Sequence, residues 1–115
     1  MSTALVLEGG ALRGVYTAGV LDILLENDIE INCVIGVSAG ALNGMNYVSK
    51  QIGRAAQINI ENCNNPKYIG YKAIKKNKGL IGFDYLFGEI SQKINPFDEK
   101  TFRSNKLPDR RTYFF

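Results

Sequence analysis

The chain has 115 residues, 45% of them apolar, and a formal net charge of +3 at pH 7. These values fit one globular domain or part of one, and so small a positive charge does not indicate a nucleic-acid partner. The sequence contains no apolar run of membrane-spanning length, and its first residues, MSTALVLEGG, lack the basic flank and apolar stretch of a signal peptide.

The first fifty residues alternate between apolar runs and helical patterns. Residues 3–7 and 32–36 are continuous apolar runs, which predict buried parallel strands. Residues 15–27 and 38–50 follow them as predicted helices, and in the first of these we expect Asp22 and Glu26, four residues apart, on a solvated face. This strand–helix–strand–helix order predicts an α/β fold whose parallel strands are joined by right-handed crossovers.

The pattern changes after residue 50. We expect short helices at 53–62, 83–93 and 98–104, a loop at 62–66 and a turn at Pro108-Asp109. Residues 111–115 (RTYFF) predict a further strand.

The chain contains two cysteines, Cys33 and Cys63, and no histidine. Without a C-x-x-C pair or a histidine cluster, the sequence argues against a zinc site, and we expect neither a metal nor an organic cofactor. We expect Cys33 in a buried strand and both cysteines as free thiols, as in the reducing environment of the cytoplasm.

The second apolar run leads into Gly36-Val37-Ser38-Ala39-Gly40, a single G-x-S-x-G. Glycines two residues before and after a serine allow a sharp turn from strand to helix, which projects the hydroxyl at the end of the strand. The amide of Ala39 then lies in the first helical turn, where an N–H group without a partner can bind an oxyanion. The alternative is an ordinary turn in which the Ser38 side chain caps the helix.

The first apolar run ends in another glycine-rich turn, EGGALRG, from Glu8 to Gly14. Since neighbouring parallel strands end at one edge of a sheet, we expect this turn to lie beside Ser38 and to supply further amides for an oxyanion. The alternative is the phosphate-binding turn of a nucleotide fold, but the spacing is G-G-x-x-x-G and no G-K-[ST] follows.

Together, EGGALRG and GVSAG resemble the N-terminal part of a patatin-like phospholipase, over residues 4–50 and more weakly to the C-terminus. The resemblance implies a three-layer α/β/α fold with a mostly parallel sheet, and a serine–aspartate dyad that needs no histidine. Carried onto this chain, it implies that Ser38 is the nucleophile. Glu8 and Ala11 stand where the family usually has aspartate and glycine. The residues implied for the oxyanion hole are Gly9, Gly10, Ala11, Arg13, Gly14 and Ala39.

The family's dyad aspartate lies in a D-G-[GA] motif, and none of the five aspartates of this chain precedes a glycine. We therefore expect residues 1–115 to be the N-terminal portion of one patatin-like hydrolase domain, incomplete at its C-terminal side. Loss of a general base typically costs about 10²–10⁴-fold in rate, so we expect little or no hydrolysis from this chain alone.

The resemblance implies a phospholipid or another lipid acyl ester as substrate. Five lysines between residues 67 and 78 are compatible with contact to an anionic membrane surface, although a solvated face is the simpler interpretation. Two other functions stay open. One is a non-catalytic fragment that self-associates through an exposed edge strand at 112–115, and the other is a small anion- or nucleotide-binding α/β module.

Overall fold

The structure, a computed structural model, describes residues 3–66, 93, 96–104 and 110–115. It divides into two compact units, Met1–Ala56 with Asp98–Phe115, and Gln57–Phe97. The basic segment 67–78, the predicted helix at 83–93 apart from Lys93, and the predicted turn at Pro108-Asp109 lie outside the described residues.

Within the described residues, the strands β1, β2 and β3 are Ala4–Leu7, Cys33–Gly36 and Arg111–Phe114. The helices α1 to α4 are Gly14–Glu26, Ala39–Val48, Arg54–Asn62 and Glu99–Ser104, and a 3-10 turn at Ala11–Arg13 precedes α1. The strands and helices predicted for this part of the chain are confirmed, with ends that differ by one or two residues.

The three strands form one parallel sheet in the order β1-β2-β3. Leu21 of α1 and Tyr47 of α2 belong to one buried cluster with Leu7 and Val34 of the sheet, so α1 and α2 share a face. The register aligns Leu7, Gly36 and Phe114 in one row. The chain therefore leaves all three strands at a common edge, and the α/β fold with a parallel sheet is confirmed.

The core of the first unit lies between this face of the sheet and the helices. α2 approaches the sheet closely because Gly44 has no side chain: a Cβ there would lie 2.6 Å from the Phe114 ring. On the opposite face of the sheet, Val6 and Tyr113 are exposed. The buried apolar cluster consists of Leu7, Leu21, Val34, Tyr47 and Val48, and the half-buried side chains around it are Leu5, Leu24, Leu25, Phe102 and Phe114.

Tyr47 links α2 to the connection between α1 and β2. Its hydroxyl donates to the Ile29 carbonyl at 2.9 Å and accepts from the Ile31 N–H at 2.8 Å. Burial raises the pKa of Tyr47, although the hydrogen bond from Ile31 acts in the opposite direction. This hydroxyl fixes the entry into β2, and therefore the strand whose other end leads to Ser38.

Two expectations about single residues are wrong. Asp22 is not a solvated side chain of α1; it is half-buried and accepts a hydrogen bond from the Gly53 N–H at 3.0 Å. Cys33 is only partly buried, because it lies on the sheet face that α1 and α2 leave open. Both cysteines are free thiols. In the part of the chain that the structure describes, every helix falls short of the length or the hydropathy that a transmembrane segment needs.

Candidate active site

The glycine-rich turn and the serine turn meet at the carboxyl edge of the sheet. Leu7 at the end of β1 and Gly36 at the end of β2 are register partners. A Cβ built on Gly9 would lie 3.3 Å from Ser38 Cβ and 3.9 Å from Ser38 Oγ. The two turns are therefore adjacent, as their positions after neighbouring strands predict.

Ser38 has a backbone conformation that residues other than glycine rarely adopt. Its φ is 54° and its ψ is −120°. Such a conformation costs about 1–3 kcal/mol and persists only where the surrounding structure imposes it. Here it turns the chain sharply from β2 into α2, which is the geometry that exposes a nucleophilic serine above a parallel sheet.

Neither glycine of the serine motif has room for a side chain. A Cβ on Gly36 would lie 2.6 Å from the carbonyl oxygen of Gly40, and one on Gly40 would be closer still to the carbonyl oxygen of Leu7. Real Cβ atoms do not approach backbone oxygens so closely. The start of α2 can therefore pack against β1 and β2 only with glycine at both positions.

Hydrogen bonds from both sides hold the serine turn in place. The Val37 N–H donates to the Leu7 carbonyl at 3.0 Å, and the Ser38 N–H donates to the Phe115 carbonyl at 2.8 Å. The Phe115 N–H in turn donates to the Gly36 carbonyl at 2.9 Å. The turn is thus fixed by β1 on one side and by the residue that follows β3 on the other.

The side chain of Ser38 does not cap α2. It makes no capping hydrogen bond, and the Ala41 and Leu42 N–H groups donate to the Ser38 backbone carbonyl at 2.9 and 3.2 Å instead. Ser38 is also exposed. Ser38 therefore occupies the N-cap position of α2, as the alternative expects, but its side chain does not serve as the cap.

The amides of Gly9 and Ala39 belong to residues next to Ser38 in space or in sequence. A Cβ built on Gly9 would lie 3.3 Å from Ser38 Cβ, and Ala39 follows Ser38 as the first residue of α2, whose dipole places about half a positive charge at this end. Amides placed in this way can stabilise a negatively charged oxygen beside Ser38 Oγ. Within the described residues, the amides that have no hydrogen-bond acceptor include those of Gly9, Gly10, Ala11 and Ala39.

The rest of the glycine-rich turn lies next to Gly9. Ala11 has a φ of 48°, which lies in the left-handed region. Alanine is strained in this conformation, whereas glycine would not be. Arg13 is exposed, and its guanidinium Nη2 would be 3.8 Å from a Cβ built on Gly10. Arg13 therefore adds a positive charge at the rim of the turn.

Asn43 connects the two turns, and the sequence reasoning missed it. This α2 residue is 3% exposed, and its Nδ2 donates to the Gly14 carbonyl at 2.9 Å. A Cβ on Gly14 would lie 3.1 Å from Asn43 Nδ2 and 3.2 Å from Ala39 Cβ. The available signal was an asparagine inside the helix predicted at 38–50, since an amide that such a helix buries requires a partner.

Each aspartate that the structure describes has another role or location. Asp22 accepts from Gly53, and Asp98 accepts from the Thr101 N–H at 2.9 Å as the cap of α4. The hydrogen bonds with Thr101 lower the pKa of Asp98. Asp28 follows α1 and precedes β2, at the opposite end of that strand from Ser38. The described residues also contain no group of three or more His, Cys, Asp or Glu that could hold a metal ion.

A family model described as patatin-like phospholipase matches residues 5–115. The chain belongs to the patatin-like phospholipase family. This is a family of lipid hydrolases. The parallel α/β sheet of the chain agrees with this assignment. The chain is also 32% identical, over 84 residues or 72% of its length, to the uncharacterized protein YjjU of Escherichia coli (strain K12). The matched part covers 24% of the length of YjjU. No solved structure matches the chain.

Proposed function

We propose that this chain carries the nucleophile and the oxyanion-binding half of a serine hydrolase that acts on lipid acyl esters. The observation that supports this most is the exposed Ser38 in a strained turn (φ 54°) against the backbone of Gly9. In this proposal, Ser38 Oγ attacks the acyl carbonyl, and the amides of Gly9 and Ala39 stabilise the oxyanion. Gly10 and Ala11 would offer further amides, and Arg13 and Gly14 would complete the glycine-rich turn.

The proposed reaction has two steps. Attack of Ser38 forms a tetrahedral oxyanion, which expels the alcohol and leaves an acyl-serine; water then releases the fatty acid. A base must take the Ser38 proton in the first step. We assign this role to a carboxylate outside the described residues, since Asp22 and Asp98 are engaged elsewhere.

Apolar side chains beside the two turns support a lipid acyl chain as the group that is transferred. Val37, next to the serine, is 48% exposed, and Leu12, in the glycine-rich turn, is 38% exposed. Exposed apolar side chains at the mouth of a site can bind hydrocarbon. We propose that the substrate is a phospholipid or related ester taken up at the cytoplasmic surface of a membrane.

The test uses a thiol in place of the serine hydroxyl, because a thiol needs less help from a base. In a Cys33→Ala background, Ser38→Cys is treated with p-nitrophenyl butyrate, and acylation is read by peptide mass. The exposed Cys63 in the same chain is the internal reference. We expect the introduced thiol to be acylated about 100-fold faster than Cys63, which is the typical effect of one oxyanion donor. Equal rates in folded protein would contradict the proposal.

The lipid preference is tested with the same variant and esters of longer acyl chains. We expect the rate ratio between the introduced thiol and Cys63 to rise from butyrate to octanoate, because added methylenes gain binding only at a site lined by apolar side chains. A ratio that does not change with chain length would leave acyl transfer intact but contradict a lipid substrate.

A further inference from the structure

We propose that Asn43 is a positioning residue that aligns the glycine-rich turn with Ser38, so that the amides of Gly9 and Ala39 face the same oxyanion. This inference rests on the proposed function. Asn43 itself does not contact the reacting atoms in this account, because its Nδ2 is directed to the Gly14 carbonyl at 2.9 Å.

The glycine-rich turn is anchored at its two ends. At its start, Leu7 is fixed in the sheet by its register with Gly36. At its end, the Gly14 carbonyl accepts the hydrogen bond from Asn43. Between these points, the Arg13 N–H donates to the Gly10 carbonyl at 3.0 Å, which holds the turn together but does not place it against Ser38.

The Asn43 side chain, which binds the Gly14 carbonyl, and the Ala39 side chain lie on the same face of α2. Ala39 and Asn43 are four residues apart, so they stand one above the other on the helix. Gly14 packs against both, with a built Cβ 3.2 Å from Ala39 Cβ and 3.1 Å from Asn43 Nδ2. A movement of the glycine-rich turn away from Asn43 is therefore a movement away from Ala39.

Small displacements matter for an oxyanion site more than for the fold. Amides stabilise an oxyanion only within about 2.7–3.1 Å, and misplacement of reacting groups by about 1 Å can cost about 100-fold in rate. Loss of the Asn43 hydrogen bond should therefore reduce acyl transfer while the serine turn, held by Leu7 and Phe115, keeps its accessible side chain.

The experiment compares two reactions of one thiol in the Ser38→Cys, Cys33→Ala chain. Acylation by p-nitrophenyl butyrate passes through an oxyanion, whereas alkylation by iodoacetamide displaces iodide and forms none. With Asn43→Ala added, we expect acylation at position 38 to fall about tenfold or more. Alkylation at position 38 and both reactions at Cys63 should stay unchanged.

Asn46→Ala is the matched control. Asn46 is another buried asparagine of α2, but it bonds the Leu42 carbonyl and accepts from Arg54 at 2.8 Å, and it does not bond Gly14. We expect Asn46→Ala to lower the melting temperature without changing the ratio of acylation to alkylation. Asn43→Leu, which keeps most of the volume without the donor, should reproduce the Asn43→Ala ratio if the alanine variant folds poorly.

The outcomes separate this inference from the proposed function. An unchanged ratio in both Asn43 variants, with fast acylation retained, would overturn the positioning role and leave the proposed function standing. If the Ser38→Cys chain with Asn43 intact is acylated no faster at position 38 than at Cys63, both are overturned, since there is then no oxyanion site to align.

Discussion

At the scale of single residues, two of the four non-glycine residues with positive φ in the described part of the chain lie at the proposed site, and the other two are Asp28 and Lys50. Ser38 and Ala11 both have positive φ, 54° and 48°, and they lie in the two turns that meet at the edge of the sheet. Glycine would adopt these conformations without strain. A serine at the first position is therefore retained at a cost in stability, which is expected where the side chain has a chemical role.

This interpretation predicts that removing the Ser38 side chain entirely stabilises the fold. We expect Ser38→Gly to be about 1 kcal/mol more stable than Ser38→Ala, because glycine relieves the strain while alanine retains the Cβ that causes it. Urea unfolding of the two variants measures the difference. A glycine variant less stable than the alanine variant would show that the turn is not strained.

At the scale of secondary structure elements, the apolar pattern predicts most of what the structure describes. Continuous apolar runs predict β1 and β2, and the G-x-S-x-G spacing predicts the turn between β2 and α2. The hydrogen-bond partners of Asp22 and Asn43 could not be predicted, because Gly53 and Gly14 are 31 and 29 residues away in sequence. Pattern and propensity report local preference, whereas these bonds depend on packing between elements.

Tyr47 provides a prediction at this scale, because its hydroxyl joins α2 to the segment before β2. Tyr47→Phe would leave the Ile29 carbonyl and the Ile31 N–H without their partner. We expect the free energy of unfolding to fall by about 1 kcal/mol, the typical net contribution of a hydrogen bond, because both bonds of the hydroxyl are only partly buried. An equally stable phenylalanine variant would show that water or another group replaces the hydroxyl.

We also expect the stability difference between the native chain and Tyr47→Phe to depend on pH. Burial raises the pKa of Tyr47 in the folded state, so above pH about 10 the unfolded chain loses this proton first. The contribution of the group to stability is therefore complete below pH about 10 and is lost as the pH rises through the folded pKa. We expect the stability difference between the native chain and Tyr47→Phe to be constant at neutral pH and to shrink in alkaline solution.

At the scale of the whole molecule, the order β1-β2-β3 leaves the outer edge of β3 without a strand partner among the described residues. The Arg111 and Phe115 N–H groups donate toward β2. Because N–H direction alternates along a strand, the Thr112 N–H points to the free edge and the Tyr113 N–H toward β2. Unpaired edges of this kind invite association with another chain.

Self-association through this edge is open to a direct test. We predict that the chain forms concentration-dependent dimers in sedimentation velocity and that Thr112→Pro abolishes them, because proline removes a donor only from the free edge. Tyr113→Pro is the matched variant, and it should lower stability because it removes a donor that faces β2. Dimers that persist unchanged in Thr112→Pro would place the association elsewhere.

The proposed function requires that Ser38 is a nucleophile in a formed oxyanion site and that its base lies outside the described residues. The most direct measurement is intact-mass detection of a fluorophosphonate adduct on the native chain as imidazole, an external base, is added. We predict one adduct, whose rate rises with the concentration of free imidazole and which is absent in Ser38→Ala. A folded chain that forms no adduct at Ser38 at any imidazole concentration would contradict the account.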